Sequence, residues 1–187
     1  MILKTERLIL REVKKKDLND LLKDMNNIKI SSCLLGVPHP FKKSDAVEWI
    51  NHCLKTAKRK IREEYNFCIT FKGSDKMIGE VMLQEMDFEQ KKAELAFWLS
   101  ESHWKNGIIT EAIKAVIDFA FNKLHINRLE ISAFTENEGS NNLAKKLGFK
   151  YEGTRREVSI PESTKKVHDD NVYSLLKKEY KNEKTLS

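Results

Sequence analysis

Two stretches of this chain carry residue types that could do chemistry: FWLSESHWKNGIITEA from Phe97 to Ala112, and FTENEGSNNLAKKLGF from Phe134 to Phe149. In the first, Gly107 stands between a strand-like FWL and the start of an amphipathic helix. Such a turn aims unpaired backbone N–H groups and a positive dipole end at one spot. Donors from about 105 to 110 suit one small anionic group such as a pyrophosphate, although an ordinary turn using the conformational freedom of Gly107 is spelled the same way. In the second stretch Asn137 and Ser140 stand three apart at another strand-to-helix junction, where short polar side chains either cap the helix or reach into a cleft. If the strands ending near Leu99 and Phe134 are parallel neighbours, both junctions open onto one crevice. The glycine set of a dinucleotide fold and the phosphate-loop pattern GxxxxGK[ST] are both missing from the sequence.

The elements that must hold these junctions can be read from periodicity. Residues 6–13 mix apolar and polar types as a half-buried strand does, and the next segment turns to helical spacing at Leu18, Leu21 and Leu22. Pro38 and Pro40 mark a loop, after which Ser44 is expected to cap a helix with an apolar stripe of Val47, Ile50, Leu54, Ala57 and Ile61. Three strand-like stretches, 65–72, 76–87 and 91–99, are separated by turn signals at Gly73–Asp75 and Asp87–Gln90, which predicts an antiparallel meander. A helix from near Asn106 then paints one broad apolar stripe, followed by a strand over 127–134, a helix over 139–147 ended by Gly148, and strands near 149–159 and 167–177. The order β α α β β β α β α β β predicts a mixed α/β fold.

The chain has 187 residues, 40% of them hydrophobic, which suits one domain over 1–180 with an untethered tail at 181–187. Cys33, Cys53 and Cys68 have neither CxxC nor Cys/His spacing, so no disulfide framework or metal site is indicated and the thiols read as packed apolar residues in a reducing, cytoplasmic setting. No signal peptide or membrane span is expected. The formal charge of +6 invites a nucleic-acid or ribosomal partner, but 28 carboxylates alternate with 34 cations and read mainly as solvated surface. No direct nucleic-acid contact is expected.

With five ordered motifs in view, the chain resembles the GNAT superfamily of acetyl-CoA-dependent N-acetyltransferases, and within it the ribosomal-protein alanine N-acetyltransferase branch. The motifs are TERLILR from Thr5, AELAFWL from Ala93, WKNGIITEA from Trp104, NEGSNNLAKKLGF from Asn137 and HDDNVYSLL from His168. The resemblance implies a central, mostly antiparallel sheet with helices on both faces and one parallel pair splayed around the cofactor. It implies acetyl-CoA as co-substrate, with no metal. The pantetheine would pair with backbone at Trp98 and Leu99 and with Asn137. The pyrophosphate would meet the loop of Trp104, Lys105, Asn106, Gly107, Ile108, Ile109 and Thr110. Two departures stand out: Lys105 where relatives usually have glycine, and Ile109 where the superfamily prefers Gly or Ala.

Acetyl transfer to an amine requires a proton acceptor, a donor to the carbonyl oxygen and a proton for the departing thiolate. Glu94 is the first choice as base, since period-two alternation puts it on one face with Ala96 and Trp98; the other reading is a cross-strand pair with a lysine. Glu157 and Glu162 are alternatives. A backbone N–H near Leu99 would serve the carbonyl oxygen, and Ser140 would protonate the thiolate unless it only caps its helix. His103 could touch the cofactor, whereas His39, His52 and His125 lack evident partners. His168 and Asp169 either shape the acceptor region or make a structural hydrogen bond. The acceptor pocket is expected from residues 28–41, the helix after them and the loop SIPESTKKVHD. A protein N-terminal α-amine, an amino sugar, a polyamine or a small amino-acid derivative all fit the chemistry, as does a CoA-binding module without turnover. The protein is expected as a monomer or homodimer, with a ribosomal protein as one possible substrate.

Overall fold

The computed structural model describes residues 1–180, so the tail expected at 181–187 lies outside the described residues. Five helices and eight strands follow one another as β1 (Ile2–Lys4), β2 (Leu8–Glu12), α1 (Leu18–Met25), α2 (Ile28–Ser31), α3 (Lys43–Thr56), β3 (Tyr65–Phe71), β4 (Gly79–Asp87), β5 (Lys92–Leu99), α4 (Ile108–Asn122), β6 (Arg128–Phe134), α5 (Glu138–Lys146), β7 (Lys150–Ser159) and β8 (His168–Leu176). The strands form one sheet in the order β1-β2-β3-β4-β5-β6-β8-β7, antiparallel throughout except for β5 and β6. No described helix is long and apolar enough to cross a membrane.

Alternation along each strand builds a core on both sides of the sheet. Leu10, Ile69, Val81, Leu83, Leu95 and Leu129 face α4, whose Ile113, Val116, Ile117 and Ala120 are fully buried. Trp98, Met82 and Cys68 face the other way, against Leu21 and Met25 of α1 and Ala46 and Ile50 of α3. Glu94, on the same parity as Ala96 and Trp98, is therefore carried on the side of α1 to α3.

Several boundaries differ from the periodic reading. A short strand, β1, precedes the expected first strand, and a one-turn helix, α2, opens the segment 28–41 expected to border the acceptor pocket. Ser44 does not cap α3: Lys42 is the N-cap residue, and Asp45 supplies the reciprocal bond by accepting the Lys42 N–H (2.7 Å). The buried face is Ala46, Ile50 and Cys53, with Val47 exposed. The helix stops at Thr56, where the Arg62 guanidinium takes the carbonyl of Ala57, and Ile61 is left 72% exposed. Cys53 and Cys68 are buried, but Cys33 is exposed. The strand predicted near 167–177 is internal to the sheet, because β8 lies between β6 and β7.

Candidate active site

The parallel pair is hydrogen-bonded only at its start. Lys92, Ala93 and Glu94 match Arg128, Leu129 and Glu130, and beyond that point β5 and β6 splay. Ladder phase decides which groups face the opening. Ser100 N–H donates to the Ile78 carbonyl (2.8 Å), so in the alternation of an antiparallel pair Trp98 also bonds β4 and its backbone, expected beside that of Leu99 to face the pantetheine, is turned away; the N–H groups of Phe97 and Leu99 point into the gap instead. On the opposite wall Thr135 N–H donates to Asp169 O (2.9 Å), which turns the Phe134 backbone toward the same gap.

Both carbonyls at the open end are already occupied. Trp104 Nε1–H donates to Leu99 O (2.7 Å), and Asn141 Nδ2–H donates to Phe134 O (2.9 Å). Asn141 is itself held, its Oδ1 accepting from Asn171 Nδ2 and Tyr173 OH, each at 2.8 Å. With these acceptors satisfied the strands cannot zip together, and two N–H donors remain on the β5 side. Gly79 is needed beneath them, since a Cβ there would meet the Trp98 carbonyl oxygen at 2.6 Å.

The loop after β5 runs through one 3₁₀ turn to Gly107, the N-cap of α4, whose φ of +73° a Cβ would disfavour. Lys105 adopts φ +62°, the conformation for which glycine is the usual choice. A clamp from the N-terminal strands holds this loop. Thr5 Oγ1 and Arg7 Nε (2.6 Å) donate to the Glu111 carboxylate, and Arg7 NH1 reaches Asn106 O (3.1 Å). Burial opposes ionisation of Glu111, but these donors outweigh it and hold its pKa below the ordinary value. The motifs TERL and TEA thus meet each other, 104 residues apart.

Beside the gap, on the side of α1 to α3, lies a cavity of about 750 Å³. Its lining gathers Glu94, Trp98, Asn137 and Ser140, whereas Leu99 and the residues from Trp104 to Thr110 lie outside it. Asn137 caps α5 by accepting the Ser140 N–H (3.1 Å), and the Ser140 hydroxyl makes no hydrogen bond among the described residues. Glu94 is half-buried; burial raises its pKa, against the opposing pull of Arg155 and the Ser132 hydroxyl. Glu162 lines the cavity in an ion pair with Lys165 (2.5 Å), and Glu157 lies outside it.

One acid escaped the sequence. Glu80 of β4 is 1% exposed, opposite Trp98, and its Oε2 accepts indole N–H bonds from Trp49 (3.2 Å) and Trp98 (3.3 Å). Its Oε1 has no partner among the described residues. Burial, only partly offset by the two indoles, raises its pKa to about 7. Its signal was a lone acid inside the apolar run MIGEVML. The histidines resolve more simply. His52 has a partner after all, Glu64 at 2.5 Å, and stacks on Trp49; His103 packs edge-on against Phe71. His168 stacks on Phe134 and lies 3.3 Å from Glu136, while Asp169 accepts the Glu157 N–H (2.7 Å), so this pair makes structural bonds.

Residues 7–150 match the family model described as "Acetyltransferase (GNAT) domain". The chain belongs to the GNAT acetyltransferases. It is 30% identical over 178 residues to an uncharacterized N-acetyltransferase, YoaA, of Bacillus subtilis (strain 168), covering 94% of this chain and 97% of that one. The ribosomal-protein-serine acetyltransferase of Escherichia coli (strain K12) matches at 32% identity over 54% of this chain and 56% of its own length. Among solved structures, a probable acetyltransferase superposes with a TM-score of 0.83 at 26% identity, covering 96% of this chain and 99% of that one. The microcin C7 self-immunity acetyltransferase MccE, solved with acetyl-CoA and AMP, superposes with a TM-score of 0.78 at 23% identity, covering 91% and 93%, and shares the fold.

As a GNAT enzyme the chain is an acetyl-CoA-dependent N-acetyltransferase. Its residues fit that co-substrate, because the strand gap presents the N–H groups of Phe97 and Leu99 while the carbonyls of Leu99 and Phe134 are capped, and the glycine turn into α4 lies beyond the strand ends. No group of His, Cys, Asp and Glu among the described residues could hold a metal ion. Trp104→Phe keeps the ring but leaves the Leu99 carbonyl unpaired, a penalty of about 1–3 kcal/mol for a buried group. Calorimetry is expected to show roughly tenfold weaker CoA binding, about 1.4 kcal/mol, with an unchanged circular dichroism spectrum. Unaltered affinity would show that the indole does not hold the gap.

Proposed function

We propose that this GNAT enzyme acetylates the primary amine of a small acceptor that enters the cavity from the side of α1 to α3. Acetyl-CoA supplies the acyl group as a thioester. Glu94, directly or through a water, takes the proton from the incoming ammonium, and burial, by raising its pKa, makes it a stronger base than an exposed carboxylate. The Leu99 N–H, aimed into the gap, serves the carbonyl oxygen, and the unengaged Ser140 hydroxyl delivers a proton to the departing thiolate. Asn137 and the backbone of Phe97 and Leu99 hold the pantetheine arm, while the turn from Lys105 to Thr110 holds the pyrophosphate.

The observation that carries this reading is the shared cavity: the base, the acid and the splayed strands border one space. A small acceptor is favoured because the far wall is closed on itself. Glu162 N–H donates to Leu35 O (2.9 Å) and Ser163 Oγ to Ser31 O (3.1 Å), joining the β7–β8 loop to the segment before α3. The names of two relatives favour a second reading, a ribosomal-protein N-terminus as acceptor.

A panel of small amines and N-terminal peptides, assayed for CoA release, tests both. Turnover of a small amine is expected, and Ser140→Ala is expected to lower kcat by about 10²-fold, at the lower edge of general acid catalysis. Turnover restricted to peptides would establish the second reading. Acetyl-CoA binding without CoA release from any amine would refute transfer.

A further inference from the structure

The cavity is acidic in a basic protein. Asp45, Glu48, Glu80, Glu94, Glu162 and Asp170 border it, and no lysine or arginine does, although the sequence carries 34 of them against 28 acids. Two of the six are more than nine-tenths buried and keep an oxygen without a partner among the described residues: Oε1 of Glu80 and Oδ1 of Asp170. Asp170 is partly answered by Ser159 (2.6 Å) and by Arg155 (3.4 Å). Glu80 has only two neutral indole donors, on one of its oxygens.

A lone buried carboxylate is costly unless paired or protonated. Burial already pushes Glu80 to about 7, so near neutrality it is only partly charged and an arriving cation would draw it into the ionised form. Trp49, half-buried and bordering the same cavity, offers an aromatic face to such a cation. Position matters as well. Glu80 lies opposite Trp98 and Gln84 opposite Glu94, so Glu80 and Glu94 share one face of neighbouring strands. They are four residues apart along the strand direction, roughly 13 Å at the strand rise.

We propose that the acceptor is a small dicationic amine, whose reacting amine is handled by Glu94 while its second ammonium is held by Glu80 beneath Trp49. This rests on the acetyltransferase reading above and specifies its acceptor. The shared chemistry is two ammonium groups held well apart on one skeleton, as in a linear diamine or polyamine, or in an amino sugar.

The test uses the full chain with acetyl-CoA and compares α,ω-diaminoalkanes, n-alkylamines of matched length, a multiply aminated amino sugar and a lysine-containing tetrapeptide. The kcat/KM of the best diamine or amino sugar is expected to exceed that of the matched monoamine at least tenfold, with the advantage shrinking as salt rises. In Glu80→Gln the advantage should collapse to under threefold. Which dication leads distinguishes a linear polyamine from an amino sugar. Trp49→Phe, which removes one indole donor and keeps an aromatic ring, is the second variant should Glu80→Gln misfold, and it should reduce the advantage at least threefold. Parity between mono- and diamine in the wild type, an advantage that survives Glu80→Gln, or a peptide that outruns every small amine would overturn the proposal. If no amine releases CoA, it is the transfer reading that fails, and calorimetry on the CoA-loaded protein then judges the dication alone: binding no tighter than that of the monoamine refutes it.

Discussion

Replacing Glu94 with glutamine is expected to lower kcat by roughly 10²–10³-fold, within the span of general base catalysis, while leaving the Kd for acetyl-CoA within about twofold. Glutamine keeps the shape and the reach toward Ser132 but cannot accept a proton. The pH dependence separates this role from a structural one. Burial raises the Glu94 pKa, and a base must be deprotonated to work, so the wild-type rate should climb as the pH rises through that elevated value. The variant should lose this limb and keep any other. A variant retaining both the limb and the rate would assign the proton to another group, and Glu80 would be the first to examine. Aspartate at 94 should restore part of the limb with a lower kcat, because it is one methylene short.

Asp17→Ala is expected to remove about 3–5 kcal/mol of folding stability, the usual result of stripping one partner from a buried ion pair. Arg11 and Asp17 are 4% and 1% exposed and bond in bidentate fashion at 2.7 and 2.8 Å. All five guanidinium N–H groups are spent: two on Asp17, one on the Asp75 side chain, one on the Asp75 carbonyl and one on the Glu12 carbonyl. Asp17 also accepts the Lys14 N–H (2.7 Å) at the entry to α1. Removing the carboxylate leaves the buried guanidinium with Asp75 as its remaining ionic partner and frees the start of the helix that lines the cavity with Leu21 and Met25. Against a typical total of roughly 5–15 kcal/mol, such a loss is severe. Urea denaturation measures it, and a change below about 1 kcal/mol would show that the pair is not worth its burial. The double change Arg11→Met with Asp17→Leu should recover most of the loss, since an apolar pair of similar volume needs no desolvation.

What the sequence made legible depended on whether a residue acts through its own periodicity or through a remote backbone atom. Glu94 was placed on its face by alternation alone, and Gly107 at its turn by the change of period from strand to helix. The splayed pair followed from the resemblance. Trp104 and Asn141 were not legible as the residues that keep the gap open, because their partners are the carbonyls of Leu99 and Phe134 and nothing in a sequence marks a carbonyl as unpaired. Arg7 and Glu111 were read within separate motifs, yet they explain each other. Glu80 was hidden because one acid in an apolar run looks like ordinary strand alternation. Only the register against Trp98, together with α3 folding Trp49 over it, reveals a carboxylate with nowhere else to go. The error at Ser44 was of the opposite kind: a good cap residue was displaced by the capping box of Asp45, one position further on.

The clamp formed by Thr5, Arg7 and Glu111 also bears on the order in which the site can assemble. Contacts separated by 104 residues close late, since the entropy of a large loop must be overcome before they contribute. The turn proposed to receive the pyrophosphate therefore reaches its final shape only after the first strands have joined a sheet whose centre is made of much later residues. Competence to bind CoA should lag behind the appearance of strand and helix signals during refolding. Cofactor capture thus reports completion of the fold.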